Sequence, residues 1–133
     1  MVKTETVGMW EVAKSNPVIK LETDTKNYAF INHDGNAYVI MNLINGDDSY
    51  LDDVTIPAGE YLNGMLLKAW EGQRLVIDGK HITGGVSSLD TGSILVIGSD
   101  GKLETGSATG VHFVVKDKVT LTEAAVKVEI KVA

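Results

Sequence analysis

The three histidines are the side chains of this sequence best suited to acid–base or metal chemistry. They are His33, His81 and His112, and they lie tens of residues apart. Protein zinc sites usually announce themselves by close ligand spacing, such as two histidines four positions apart. No such spacing occurs here, so we expect no metal site within one chain. A metal shared between identical subunits at His81 or His33 is the arrangement that the spacing leaves open.

The tetrapeptide Gly98-Ser99-Asp100-Gly101 contains a serine between small residues, as nucleophilic sites often do. The nucleophile elbow has the order Gly-x-Ser-x-Gly at a turn from a strand into a helix. Here the serine precedes an Asp-Gly step, which is typical of a β-hairpin turn. We therefore expect a turn at this position, and we assign no catalytic residue.

Residues 42–53 form an acidic segment whose carboxylates could bind calcium. The ligand pattern of an EF-hand loop, with alternate oxygen ligands, a Gly and a terminal Glu, is absent. The segment is therefore predicted to be a solvated loop, and no cofactor is expected. Its acidic residues are Asp47, Asp48, Asp52 and Asp53.

Charge and composition limit the classes of partner. The chain has 133 residues and a net charge of −6, which opposes binding to a phosphate backbone. It has no cysteine, so neither disulfides nor a cysteine metal cage is available. No apolar run approaches the ~18 residues of a membrane span, and no secretory leader is evident. We expect no nucleic-acid partner and no membrane partner, with synthesis in the cytoplasm.

Three Asp-Gly steps predict β-hairpins and hence an all-β chain. They are Asp34-Gly35, Asp78-Gly79 and Asp100-Gly101, and each lies between two short apolar runs. A type I′ turn needs positive φ at both central residues, which Gly adopts freely and Asp tolerates. We expect a compact antiparallel β-sandwich or barrel built from hairpins.

The hairpin at Asp34-Gly35 is apolar on both faces. Counting outward from the turn pairs Phe30 with Val39 on one face and Ile31 with Tyr38 on the other. Both faces must be covered, either inside a sandwich or barrel or by a neighbouring subunit. We treat Tyr38, Val39 and Ile40 as candidates for a subunit interface.

The other two hairpins are predicted in the same way. At Asp78-Gly79 the count places Leu75 opposite Ile82 on a core face, and Val76 opposite His81 on a wet face. At Asp100-Gly101 it places one set of residues on a common face. That set is Ile94, Val96, Leu103 and Thr105.

Three further segments have strand patterns. After Pro17, alternation predicts the first regular strand, and residues 61–70 fit a strand or a short helix, of which strand is preferred. The last strand alternates apolar residues with Lys and Glu, which predicts a half-buried strand at a sheet edge. Its apolar residues are Val126, Val128, Ile130 and Val132.

The chain is predicted to have an N-terminal arm, residues 1–16, and a single β domain, residues 17–133. Apolar residues in the arm follow neither a strand nor a helix period. Trp10 could pack into the core of its own domain or clasp a neighbour, since Trp carries a large apolar area. On the second interpretation Val7, Met9 and Trp10 are interface residues.

Residues 88–132 resemble the small head-decoration, or cement, proteins of tailed bacteriophages. The resemblance covers about a third of the chain. It consists of four short motifs in order: Thr91-Gly92-Ser93-Ile94-Leu95, Asp100-Gly101-Lys102, Ala108-Thr109-Gly110-Val111 and Ala124-Ala125-Val126-Lys127-Val128.

This resemblance implies a structural protein without catalysis. Such a protein binds the major capsid protein on the outside of an assembled phage head, and its place is therefore the virion exterior. It would be a homo-oligomer, a trimer at local three-fold positions, whose arm adds a strand to an exposed sheet edge of the shell. The many copies on a head would make weak individual contacts sufficient.

The alternative is a glycan- or host-surface-binding β module of a phage fibre. Such a module would need a platform of exposed aromatic residues. The available set is Tyr38, Tyr50, Tyr61 and Trp70.

Overall fold

The structure, a computed structural model, describes residues 2–4, 17–40, 55–120 and 123–133. In these ranges the chain forms β-strands and two short 3₁₀ helices, which confirms the predicted all-β fold. The 3₁₀ helices are Leu67–Trp70 and Gly79–His81. The strands are β1 (Val2–Thr4), β2 (Val18–Lys20), β3 (Thr25–Lys26), β4 (Phe30–His33), β5 (Asn36–Ile40), β6 (Thr55–Ile56), β7 (Tyr61–Leu66), β8 (Arg74–Asp78), β9 (Ile94–Ile97), β10 (Leu103–Thr105), β11 (His112–Thr120) and β12 (Ala124–Lys131).

The strands form two larger antiparallel sheets and one short pair. The first sheet has six strands in the order β1-β8-β12-β11-β9-β10, and the second has four in the order β2-β7-β5-β4. Strands β3 and β6 pair separately. Both larger sheets contribute side chains to one apolar core, as in a β-sandwich. Its members with no exposed surface are Val39, Leu67, Leu75, Ile77, Leu95, Leu103, Phe113, Val115, Val126, Val128 and Ile130.

The hairpin at Asp34-Gly35 forms with the predicted register. Phe30 lies opposite Val39 and Ile31 opposite Tyr38. The φ angles of Asp34 and Gly35 are 50° and 78°, as a type I′ turn requires. The local turn chemistry is therefore sufficient to set this register.

The two faces of this hairpin are covered by two different cores within one chain. Phe30 and Val39 belong to the core shared by the two larger sheets. Tyr38 and Ile40 belong to a second core, formed with residues of β2, β6 and β7. Of the two coverings considered from the sequence, burial inside the fold is the one observed for these side chains.

The predicted hairpin at Asp78-Gly79 is wrong. Strand β8 ends at Asp78, whose carboxylate accepts a hydrogen bond from the Lys80 N–H at 3.2 Å and caps the 3₁₀ helix Gly79–His81. Strand β8 pairs instead with β1 and β12. Consequently Val76 and His81, predicted on a wet face, are both buried.

The turn at Asp100-Gly101 is a hairpin, but its register differs from the prediction by one residue. The Gly98 N–H donates to the Lys102 carbonyl at 2.8 Å, so the loop has three residues and not two. Ile97 consequently lies opposite Leu103, and Leu95 shares their face. Three-residue loops with a left-handed Gly at the end are the next commonest hairpin connection, and a one-residue slip reverses the faces.

Strand β12 buries the side chains predicted to face the core, but its place in the sheet differs from the prediction. Val126, Val128 and Ile130 are fully buried. The strand lies between β8 and β11 in the middle of its sheet, so its prediction as an edge strand is wrong. Residues 61–66 are a strand as preferred, whereas Leu67–Trp70 is a 3₁₀ helix.

The predicted N-terminal arm is described at residues 2–4 only. These three residues form β1 and extend the six-stranded sheet by antiparallel pairing with β8. The start of the chain is therefore part of a sheet. The remainder of the predicted arm lies outside the described residues.

The turn glycine Gly101 is expected to resist substitution. Its φ is +82°, and a Cβ at this position would lie 3.2 Å from the Cβ of Ala29. Its carbonyl accepts a hydrogen bond from the Phe30 N–H at 2.9 Å, which ties the β9–β10 loop to the other sheet. Gly101→Ala should lower the free energy of unfolding by about 1–2 kcal/mol.

The matched control for Gly101 is Gly59→Ala. Gly59 has a similar φ of +90°, but no atom lies within 4 Å of a Cβ placed there. Urea denaturation of both variants separates backbone strain from the close contact. Equal losses in the two variants would show that the contact with Ala29 contributes nothing.

Candidate binding surface

The six interface candidates from the sequence do not form a surface in the described residues. Tyr38, Val39 and Ile40 are 6%, 0% and 0% exposed and lie inside the fold. Their assignment as interface residues is therefore corrected, because a side chain enclosed by its own chain has no area to offer a partner. Val7, Met9 and Trp10 lie outside the described residues.

Two large apolar side chains, Val18 and Tyr61, are exposed in the described part of the chain, each at 66%. Val18 is on β2, and Tyr61 is on β7, where it lies opposite Lys20. Because residues two apart in a strand share a face, Val18, Lys20 and Tyr61 lie on one face of the β2–β7 pair. The Lys20 ammonium lies 5.7 Å from the centroid of the Tyr61 ring, within the range of a cation–π contact.

This face adjoins a sheet edge. Among the described strands β2 pairs with β7 alone. On either side of β2, the Gly64 N–H donates to the Pro17 carbonyl at 3.1 Å and the Leu21 N–H donates to the Glu60 carbonyl at 3.0 Å. Main-chain groups alternate in direction along an antiparallel strand, so those of Val18 and Lys20 point away from β7. We call Val18, Lys20, Tyr61 and this side of β2 the β2 edge surface.

The β2 edge surface is outside the set of interface candidates from the sequence, where Tyr61 is considered for a glycan platform alone, although the sequence contains a signal for Val18. Ile19 and Leu21 alternate with Lys20 and Glu22, which places Val18 in phase with the polar residues. An apolar residue at an outward position of a strand is an exception to the alternation. That exception is the feature which could have identified Val18.

A polar cavity of about 650 Å³ lies on another part of the molecule, beside the β9–β10 loop. It combines basic and acidic groups, and several of these already have partners. The Asp24 carboxylate accepts from the Ala58 N–H at 2.9 Å, and Asp100 accepts from the Lys102 N–H at 3.1 Å. Lys80 forms an ion pair with Glu123 at 3.1 Å. Two of its carboxylates therefore accept hydrogen bonds from main-chain N–H groups, and the recess is lined by groups of both charges.

The histidines lie apart from one another and have local contacts. The His81 Nε2 atom is 3.8 Å from Asp78 Oδ1, and the His33 Nε2 atom is 3.5 Å from Asp34 Oδ2. His112 Nδ1 is 2.8 Å from the Gly110 carbonyl oxygen. In the ranges that the structure describes, no three His, Cys, Asp or Glu residues are grouped to hold a metal. A metal shared between subunits at His81 or His33 stays a prediction.

The aromatic residues considered for a glycan platform are dispersed. Tyr38 and Trp70 are buried at 6% and 3% exposure, and Tyr50 lies outside the described residues. Of the aromatic side chains that the structure describes, Tyr61 alone is exposed. A single ring, already in contact with Lys20, does not make a platform.

Neither 3₁₀ helix, nor any other described segment, is a helix long and apolar enough to cross a membrane. Comparison with known proteins found no matching family model, no matching curated protein and no matching solved structure.

Proposed function

We propose that this chain is a non-catalytic decoration protein that binds the major capsid protein on the outside of a tailed-phage head. The observation that supports the proposal is the position of the four motifs that resemble those of that family. They fall at successive loops and strand starts of β9, β10, β11 and β12. These four strands are contiguous in the six-stranded sheet. The motifs thus belong to one folded block and are not scattered along the chain.

The β2 edge surface is the part of the molecule that we assign to the shell. The side of β2 that no described strand pairs with offers main-chain hydrogen bonds, which give affinity with little demand on sequence. Tyr61 supplies a rigid apolar anchor with a polar tip, and such residues dominate the energetics of interfaces. Because a head presents many identical sites, modest contacts at each site suffice when the chain is a homo-oligomer, such as a trimer at local three-fold positions.

A glycan- or host-surface-binding module of a phage fibre is the alternative. The polar cavity beside the β9–β10 loop is the feature that favours it. None of the described residues that line it is Phe, Tyr or Trp, so the cavity lacks the stacking surface on which the alternative depends.

The proposal predicts that removing the anchor weakens attachment without unfolding the chain. Tyr61→Ser and Val18→Ser should each weaken binding to heads by about tenfold, the equivalent of ~1.4 kcal/mol of lost contact. Both side chains are exposed, so the thermal midpoint should change little. Co-sedimentation with heads and a circular dichroism melt measure the two effects.

Glu104→Ser is the matched control, because Glu104 is an exposed strand residue on the edge strand β10, in the other sheet. It should bind heads as the unmodified chain does. If Tyr61→Ser and Val18→Ser also bind like the unmodified chain, the β2 edge surface is not the contact with the shell.

A further inference from the structure

The polar cavity beside the β9–β10 loop lies where three separate segments of the chain meet. These are β3 with the residues that follow it, the 3₁₀ helix Gly79–His81 and the loop itself. The Phe30 N–H donates to the Gly101 carbonyl at 2.9 Å, which holds the loop against the four-stranded sheet at this place. The cavity volume of about 650 Å³ falls within the roughly 300–1,000 Å³ of small-molecule sites.

The backbone is strained at the floor of this cavity. Tyr28 has a φ of 65°, in the left-handed region that bulky side chains rarely adopt. Its two neighbours in the sequence, Asn27 and Ala29, both line the cavity. The Tyr28 ring packs edge to face against the imidazole of His81, another lining residue, with centroids 5.8 Å apart. Strained backbone of this kind is concentrated at ligand-binding and catalytic sites.

Positive side chains are concentrated in the lining. Lys26, Lys80 and Lys102 come from the three different segments, and they are three of only 12 Lys and Arg residues in a chain of net charge −6. Lys80 has a counter-ion, Glu123, at 3.1 Å. Among the described residues, neither Lys26 nor Lys102 has an ion-pair partner. An anion in the cavity would supply the missing opposite charge.

The two carboxylates of the lining indicate what else the ligand carries. Asp24 and Asp100 each accept one hydrogen bond from a main-chain N–H, of Ala58 and Lys102 respectively. An ionised carboxylate has about four acceptor positions, so each retains capacity for further donors. Hydroxyl groups are neutral donors that these oxygens can accept from. The lining therefore combines cations for an anionic group with acceptors for hydroxyl groups.

We propose that this cavity binds a small hydroxylated anion, either a sugar acid or a sugar phosphate, with its charged group at Lys26 and Lys102. The inference goes beyond the proposed function and does not depend on it, because no residue of the β2 edge surface is among the described lining residues. Lysine binds carboxylate and phosphate groups as a point charge. Such a ligand is held by ion pairs and hydrogen bonds, so the site requires no stacking ring.

Titrations followed by two-dimensional ¹H–¹⁵N NMR of the full chain test the proposal. The probes are glucose 6-phosphate, glucuronate and glucose, compared at one ionic strength. We expect saturable shifts of the Asn27, Ala29 and Gly101 amide signals with at least one of the two anions and none with glucose. A response to glucose 6-phosphate alone would identify a phosphate ligand, and a response to glucuronate alone would identify a carboxylate ligand.

Lysine variants test whether the charged group lies at the predicted place. Lys26→Gln and Lys102→Gln should each weaken binding of the anion by about fivefold, the effect of losing one charged contact. Both side chains are exposed, so the thermal midpoint should change little. The matched control is Lys68→Gln, at an exposed lysine of the 3₁₀ helix Leu67–Trp70 that is not among the described lining residues. It should bind the anion as the unmodified chain does.

Three results would overturn the proposal. One is the absence of saturable shifts with both anions, and another is an equal response to glucose. The third is binding by Lys26→Gln and Lys102→Gln that matches binding by Lys68→Gln, since the anion would then lie elsewhere.

Discussion

Val39→Asp and Ile40→Asp should each unfold the chain. The two side chains are fully buried and point into two different cores, on opposite faces of the β4–β5 hairpin. Each change removes apolar burial worth about 1.5–3 kcal/mol and places an unpaired carboxylate in the interior. Together these costs reach several kcal/mol, against a total stability of about 5–15 kcal/mol for a typical domain.

Circular dichroism melts and one-dimensional NMR spectra of both variants measure this effect. The control is Val18→Asp, at an exposed position two-thirds accessible to solvent, which should keep the thermal midpoint of the unmodified chain. If either Val39→Asp or Ile40→Asp stays folded with an unchanged midpoint, the face that carries it is not a core face.

Phe30→Ala and Phe113→Ala should each lower the free energy of unfolding by about 3–5 kcal/mol. The two rings meet edge to face, with centroids 5.4 Å apart and planes at 76°. Phe30 belongs to the four-stranded sheet and Phe113 to the six-stranded sheet, so the pair joins the two layers of the sandwich.

A double-mutant cycle isolates the contact between these two rings. The double variant should be less destabilised than the sum of the single variants, by about 0.5–1.5 kcal/mol, because the aromatic contact is lost only once. Equilibrium urea denaturation of the four proteins supplies the values. Strict additivity would show that the rings contribute burial but no specific contact.

The sequence predicts the features of the fold that depend on residues close together in the chain, namely the register of one hairpin and the buried face of β12. At Asp34-Gly35 both turn residues have positive φ, and the register follows outward from them. The alternation in β12 likewise predicts which side chains are buried, because the period of a strand is a local property.

The incorrect predictions concern features that depend on pairing between strands far apart in the sequence. Asp78-Gly79 has the same turn residues as Asp34-Gly35, yet Asp78 caps a 3₁₀ helix, because the partners of β8 are β1 and β12 at the two ends of the chain. Central or edge position in a sheet also depends on distant strands. Strand β12 carries lysines and is nevertheless central.

The candidate binding surface is less predictable than the fold for a related reason. Apolar residues on both faces of the β4–β5 hairpin indicate that both faces are buried. They do not indicate whether the same chain or a neighbouring subunit packs against each face. Tyr38, Val39 and Ile40 are covered by the chain's own strands. Exposed apolar area instead occurs at Val18 and Tyr61, where an apolar residue occupies an outward position.

The most direct test of the proposed function is to add the chain to phage heads assembled from the major capsid protein encoded in the same genome. Sedimentation and quantitative electrophoresis give the number of copies bound per head, and a thermal scan gives the temperature at which the heads open. We expect saturable binding at a ratio fixed by the shell lattice, together with a higher opening temperature. Heads that retain no chain at any concentration, or open at an unchanged temperature when saturated, would contradict it.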